Sequence, residues 1–188
     1  MRYFKNKIKE EKIIFFLLNH KAYLGPTIKL LDKSVFSFFL GKRNQNSYYS
    51  VNSSYIYIKI SLKLLSKIVS KKGKIYLVGG TIPFVALLLY LSIPKYFYVY
   101  VYPWKFSQIK KSSKIDFFIL HEICKKSILE SENKNIPFIG VNCFVSNNVP
   151  YPFPISLENN FLKNWYLYCI ISSFKKGLYY QKKKVHEI

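Results

Sequence analysis

Two spacings of apolar residues alternate along this chain. Residues 9–20 carry an apolar face at helical spacing behind a charged start. Residues 37–51, "SFFLGKRNQNSYYSV", hold two apolar runs around the polar centre Gly-Lys-Arg-Asn-Gln-Asn, the pattern of a β-ribbon or hairpin. Between 52 and 74, Ile58, Leu62, Leu65 and Ile68 return every three or four positions with lysines on the other face. That predicts a helix over 54–72, capped by Ser53 or Ser54 and ended by Gly73. From there the apolar runs become short and continuous. Strands are predicted at 75–79, 96–102, 115–120 and 136–141, with helices at 83–93, opened by Pro83, at 121–135 and at 157–177. The segment 142–154 is a proline-punctuated loop, and the tail "QKKKVHEI" a mobile end.

Continuous apolar strands alternating with helices predict an α/β protein whose mostly parallel sheet is covered on both faces. No internal repeat or long linker divides it. The expected layout is a basic extension over residues 1–12, one α/β domain over 13–178, and a basic C-terminal tail over 179–188.

The most apolar stretch, residues 75–104, is interrupted by Gly79, Gly80 and Pro83 at one end and by Pro94 and Lys95 at the other. A spanning helix needs about 20 uninterrupted apolar residues, so no membrane span is expected. The N-terminus contains Glu10 and Glu11 and an apolar run of only six residues, "IIFFLL", so no import signal is expected either.

Charge changes the picture more than any motif does. The 188-residue chain carries 30 basic residues against 9 acidic ones, a formal net charge of +21. Half of its residues are hydrophobic, which excludes disorder as the reason for the charge. Such an imbalance calls for a polyanionic partner, RNA first and an anionic membrane second. Arg2 and Arg43 are the only arginines and Ala22 and Ala86 the only alanines, while Lys, Asn, Ile, Phe and Tyr abound. These are the residues of A/T-rich codons and point to a very A/T-rich genome.

Little catalytic chemistry can be assembled. "VGGTIPF" follows a predicted strand, but lacks the third glycine of a dinucleotide fingerprint, and Pro83 removes an amide. "HEICK" begins like a zinc-protease motif and places Lys125 where the second histidine belongs. His20, His121 and His186 share no motif, and Cys124, Cys143 and Cys169 show no CxxC spacing. No catalytic, cofactor-binding or metal-binding residue is therefore expected. Basic residues beside aromatics carry more information. "GKRN" at 41–44 lies between Phe38, Phe39, Tyr48 and Tyr49, and "WKFSQIKKSSK" at 104–114 repeats the theme. At such tips lysines reach phosphates and aromatics pack on bases. The RNA-contact residues expected are Lys42, Arg43 and Asn44; Lys71, Lys72 and Lys74; and Lys105, Lys110, Lys111 and Lys114.

The order of motifs resembles the small-subunit ribosomal protein S-two family over residues 13–178. "LLNHKAYLG" (17–25), "FFLGKRNQNSYYSVNSS" (38–54), "KKGKIYLVGG" (71–80), "YVYVYPW" (98–104), Asp116, "NIPFIGV" (135–141) and "YPFP" (151–154) follow one another as the family's elements do. Gln45 stands where the family has glycine, and only residues 105–115 are available for its long helical hairpin, which is missing here. The glycines after the tryptophan become Lys105, Phe106 and Ser107, and the Gly-Asn-Asp after the Tyr-Pro loop becomes Ile155, Ser156 and Leu157. The resemblance implies a three-layer α/β/α, Rossmann- or flavodoxin-like domain and a non-catalytic constituent of the small ribosomal subunit. It would bind rRNA and neighbouring subunit proteins, with no small-molecule substrate. Codon usage and the missing import signal fit an organelle-encoded copy, in a mitochondrion first and a reduced plastid second. Two other readings stay open: an α/β nucleotide-binding enzyme using Gly79 and Gly80, and a small organelle membrane protein.

Overall fold

The computed structural model describes residues 2–27, 39–78, 97–100, 115–120, 125–141, 149–154 and 159–186. In chain order they form α1 (Arg2–Asn19), β1 (Leu24–Thr27), β2 (Phe39–Arg43), β3 (Asn46–Tyr49), α2 (Val51–Ser70), β4 (Ile75–Val78), β5 (Phe97–Tyr100), β6 (Phe117–Leu120), α3 (Lys125–Asn133), β7 (Phe138–Val141), β8 (Tyr151–Phe153) and α4 (Asn160–His186).

The sheet expected from the apolar runs is present and wholly parallel among these strands. Its order is β5-β4-β6-β7-β8, with Ile75 opposite both Phe97 and Phe117, Ile119 opposite Ile139, and Ile139 opposite Tyr151. Side chains alternate between the two faces. On one face Ile75, Leu77, Phe117, Ile119, Ile139 and Val141 pack with Ile58, Leu65 and Val69 of α2 and Leu162, Tyr166, Ile170 and Phe174 of α4. On the other, Tyr76, Phe118, Leu120 and Phe138 pack with Ile128 of α3. Strands buried on both sides must be apolar at every position, which is why "FFIL" has no polar alternation.

A second, antiparallel sheet, β1-β3-β2, precedes α2. It contains the expected hairpin: Arg43 pairs with Asn46 around the two-residue turn Asn44–Gln45. Both turn residues have positive φ, 49° and 66°, as a type I′ turn demands to match strand twist. Glutamine has no side-chain device for that region. Gln45→Gly is therefore expected to raise stability by about 0.5–1 kcal/mol, read as a higher urea midpoint with an unchanged slope.

Several elements differ from expectation. The N-cap of α2 is Ser50, whose Oγ accepts from the Ser53 N–H at 3.3 Å, so neither Ser53 nor Ser54 caps the helix. The helix closes in a Schellman motif. The Lys72 N–H reaches the Val69 carbonyl and the Gly73 N–H reaches the Ile68 carbonyl, both at 3.0 Å. The left-handed residue is Lys72, with φ 59°, rather than Gly73. Tyr151–Phe153 was expected in a loop; it is an edge strand, where a proline is tolerated because one side needs no ladder bond. The last helix does not stop at 177 and leave a mobile tail; α4 continues through Gly177 to His186. The expected helix 83–93 and the Gly79–Gly80 turn lie outside the described residues. Among the described residues, no helix is long and apolar enough to cross a membrane.

Candidate nucleic-acid interface

The expected RNA-contact residues fall in two separate places. Lys42, Arg43 and Asn44 are exposed at the tip of the β2–β3 hairpin, which leads through Ser50 into the start of α2. Lys71 and Lys72 are exposed just past its other end, and Lys74 is half-buried where β4 begins. The 20 residues of α2, about 30 Å of helix, separate the end of β3 from the Lys71–Lys72 turn. Lys105, Lys110, Lys111 and Lys114 lie outside the described residues.

The described aromatics flanking the hairpin tip pack largely on one another rather than standing free. Tyr49 is only 1% exposed, Phe39 meets its ring edge-on at 6.4 Å, and Tyr48 stacks on Tyr23 at 5.8 Å. Tyr49 is buried, while Phe39, Tyr48 and Tyr23 are half-buried; Phe38 lies outside the described residues. The tip offers cations and backbone, which read phosphate rather than base.

Asp116 resolves into a structural role. Its Oδ2 accepts the Lys74 N–H at 2.7 Å, while its own N–H donates to the Lys74 carbonyl at 3.0 Å. This two-way clasp ties the amino ends of β4 and β6, so Asp116 sits at the sheet end opposite the carboxyl ends where α/β ligands bind. His20 is equally accounted for: its ring lies against Phe16 at 4.4 Å and stacks on Phe161 at 4.8 Å, joining α1 to α4.

The strongest basic feature among the described residues is one that reading the sequence missed. Lys63 and Lys67 of α2 face Lys176 and Lys183 of α4 across a groove of about 390 Å³, with Ser66, Ser70 and Tyr180 completing its walls. No acidic side chain lines it among the described residues. Lys59, one turn before Lys63, is set apart from this group. It forms an ion pair with Glu10 of α1, whose hydrogen bond holds the Lys59 ammonium above its usual pKa. A signal for the groove was available. Lys59, Lys63 and Lys67 repeat at four-residue spacing, and Lys176, Tyr180 and Lys183 at four and three. What the sequence did not disclose is that the two stripes meet.

They meet because the helices nearly touch. At Gly177 an added Cβ would lie 2.6 Å from the Val69 Cβ and 2.7 Å from the Ser66 carbonyl oxygen. Nearby, the Ser173 hydroxyl donates to the Leu62 carbonyl of the facing helix. Small residues let two backbones approach until their outer lysines bound a single channel.

Beside this channel lies a more apolar recess lined by Ile13, Tyr55, Leu62, Trp165, Tyr168 and Cys169. Burial pushes the Cys169 thiol up from its ordinary value near 9.0 to about 12. Each unit removes a factor of ten in thiolate, the reactive form, so alkylation at pH 8 should run about a thousandfold slower than for a free thiol. In a Cys124→Ser, Cys143→Ser background the rate should still climb above pH 9. A rate that levels near pH 9 would show an open thiol.

Neither protein-family models nor curated proteins give a match to this chain. The resemblance to the ribosomal family therefore rests on its sequence motifs alone.

Proposed function

We propose that the protein is a non-catalytic constituent of the small ribosomal subunit of an organelle, a mitochondrion in the first instance, that binds rRNA through lysine-rich surfaces. The observation that carries this reading is the outward-directed hairpin tip Lys42–Arg43–Asn44 on a folded chain of net charge +21. Its strands match the family's aromatic-Gly-x-Arg-Asn element. Two further features accord with those motifs. The position where the family has glycine and this chain has Gln45 is one with φ 66°. Gly25, in the "LLNHKAYLG" element, has the Tyr49 ring so close that an added Cβ would lie 2.0 Å from its Cε2.

The finer fold expected from the family, three-layer α/β/α and flavodoxin-like, is part of the same proposal. Numbering only the strands of the large sheet gives the order 2-1-3-4-5, the flavodoxin-like order, and apolar clusters occupy both of its faces. Fold alone assigns no function.

In this reading phosphates neutralise lysines and release counterions, so association is salt-labile. In a gradient of organelle lysate at low salt the protein should sediment with the small subunit, and high salt should strip it off. Sedimentation as free protein at low salt would overturn the assignment.

A further inference from the structure

We propose that the groove between α2 and α4 is a seat for the backbone of single-stranded RNA, with Lys63, Lys67, Lys176 and Lys183 on phosphates and Tyr180 beneath a base. The proposal rests on the protein being an RNA binder and says where a strand lies.

Charge selects the ligand class. Four ammonium groups bound one channel without an acidic side chain among its described lining residues. The Ser66 and Ser70 hydroxyls are not the anion's donors, because they donate to the Lys63 and Lys67 carbonyls at 2.8 and 2.7 Å. The lysines must do the binding, and they must do so against the local helix dipoles. Both helices end near this channel, and each C-terminus places about half a negative charge there. Four full charges outweigh that. They also repel one another until a polyanion enters.

Shape and aromatics select the form of the polyanion. A narrow channel between two touching helices admits one strand more readily than an A-form duplex. Tyr180 lines the channel at 45% exposure, with Lys176 Nζ 5.9 Å from its ring centroid, and Tyr179 beside it is 65% exposed. An aromatic face next to cations is how strands with unstacked bases are held. A lipid surface would instead meet an apolar rim, with no use for lysines facing inward across a channel.

The test uses the full chain and a fluorescein-labelled oligouridylate, with anisotropy titrations over a range of salt. Exchanging Lys63, Lys67, Lys176 and Lys183 for glutamine should lower the slope of log K against log salt by about 0.7 for each lysine, close to 3 in all. Tyr180→Ala should weaken binding at least about fivefold and leave the slope alone. Lys12, Lys21, Lys134 and Lys163 are exposed and lie outside the groove. Exchanging these four removes the same charge and should move the slope far less. Circular dichroism of each variant checks that the helices are intact.

Equal slope losses in the two lysine variants, or an unchanged slope in the groove variant, would overturn the groove as the seat while leaving RNA binding by the protein intact. Tighter binding to an RNA duplex than to the single strand would also overturn it. Failure of the wild type to bind any RNA, with binding to anionic phospholipid vesicles instead, would overturn both the groove and the ribosomal reading.

Discussion

Phe117→Ala should lower the unfolding free energy by about 3–5 kcal/mol. Phe117 is 0% exposed and begins β6, the central strand of the parallel sheet, between β4 and β7. Its ring points to the face covered by α2 and α4 and lies 6.4 Å from the Tyr151 ring of β8. Truncation removes apolar contact and opens a cavity that cannot close, because the strands on both sides are fixed by ladder bonds. Domains of this kind hold only about 5–15 kcal/mol in total, so the variant should sit near the edge of folding. Urea unfolding followed by circular dichroism measures it. A loss below about 1 kcal/mol would mean that the site relaxes and the sheet is less constrained than its register implies.

The second large effect runs against a common rule. Alanine in place of glycine inside a helix usually gains about 1 kcal/mol. At Gly177 the sign should reverse. The added Cβ would overlap the Val69 Cβ and the Ser66 carbonyl oxygen. These are atoms that no rotamer change can move, so the helices themselves must separate. Overpacking of that kind costs about 1–3 kcal/mol and at times more. Gly177→Ala should therefore lose up to about 2 kcal/mol net, and Gly177→Val, with two further methyls, about 3 or more. Stabilisation by Gly177→Ala would show that the two helices do not pack as closely as described.

Why some of this was readable from sequence and some was not comes down to the range of the forces involved. α2 and the β2–β3 hairpin are set by local chemistry, by residues at three- and four-residue spacing and by a polar turn between apolar runs. Both were found with boundaries a few residues off. The parallel strands followed from continuous apolar runs. The helix predicted over 157–177 fell short at its end, because a glycine there can end a helix or pack it against another, and only the partner helix distinguishes the two. Pro152 misled in the same way. It argues against a central strand, and whether a strand is central or at an edge is a property of the sheet. The hairpin lysines were visible as a run, whereas the groove was not, since its lysines come from segments more than a hundred residues apart and are brought together by the close packing of α2 on α4 around Ser66, Val69 and Gly177.

The left-handed positions share the residue bias of the whole sequence. Lys21, Asn44, Gln45, Lys72 and Asn135 all have positive φ, where glycine is the residue without steric cost. Glycine codons start with a pair of guanines, while lysine and asparagine codons can be built from adenine and thymine alone. The same preference for A/T codons that marks the whole sequence is thus seen at the turns, with a strain of about 1 kcal/mol at each such lysine or glutamine. Each such turn is therefore a place where a glycine substitution should raise stability, and where a bound polyanion that fixed the loop would offset the strain.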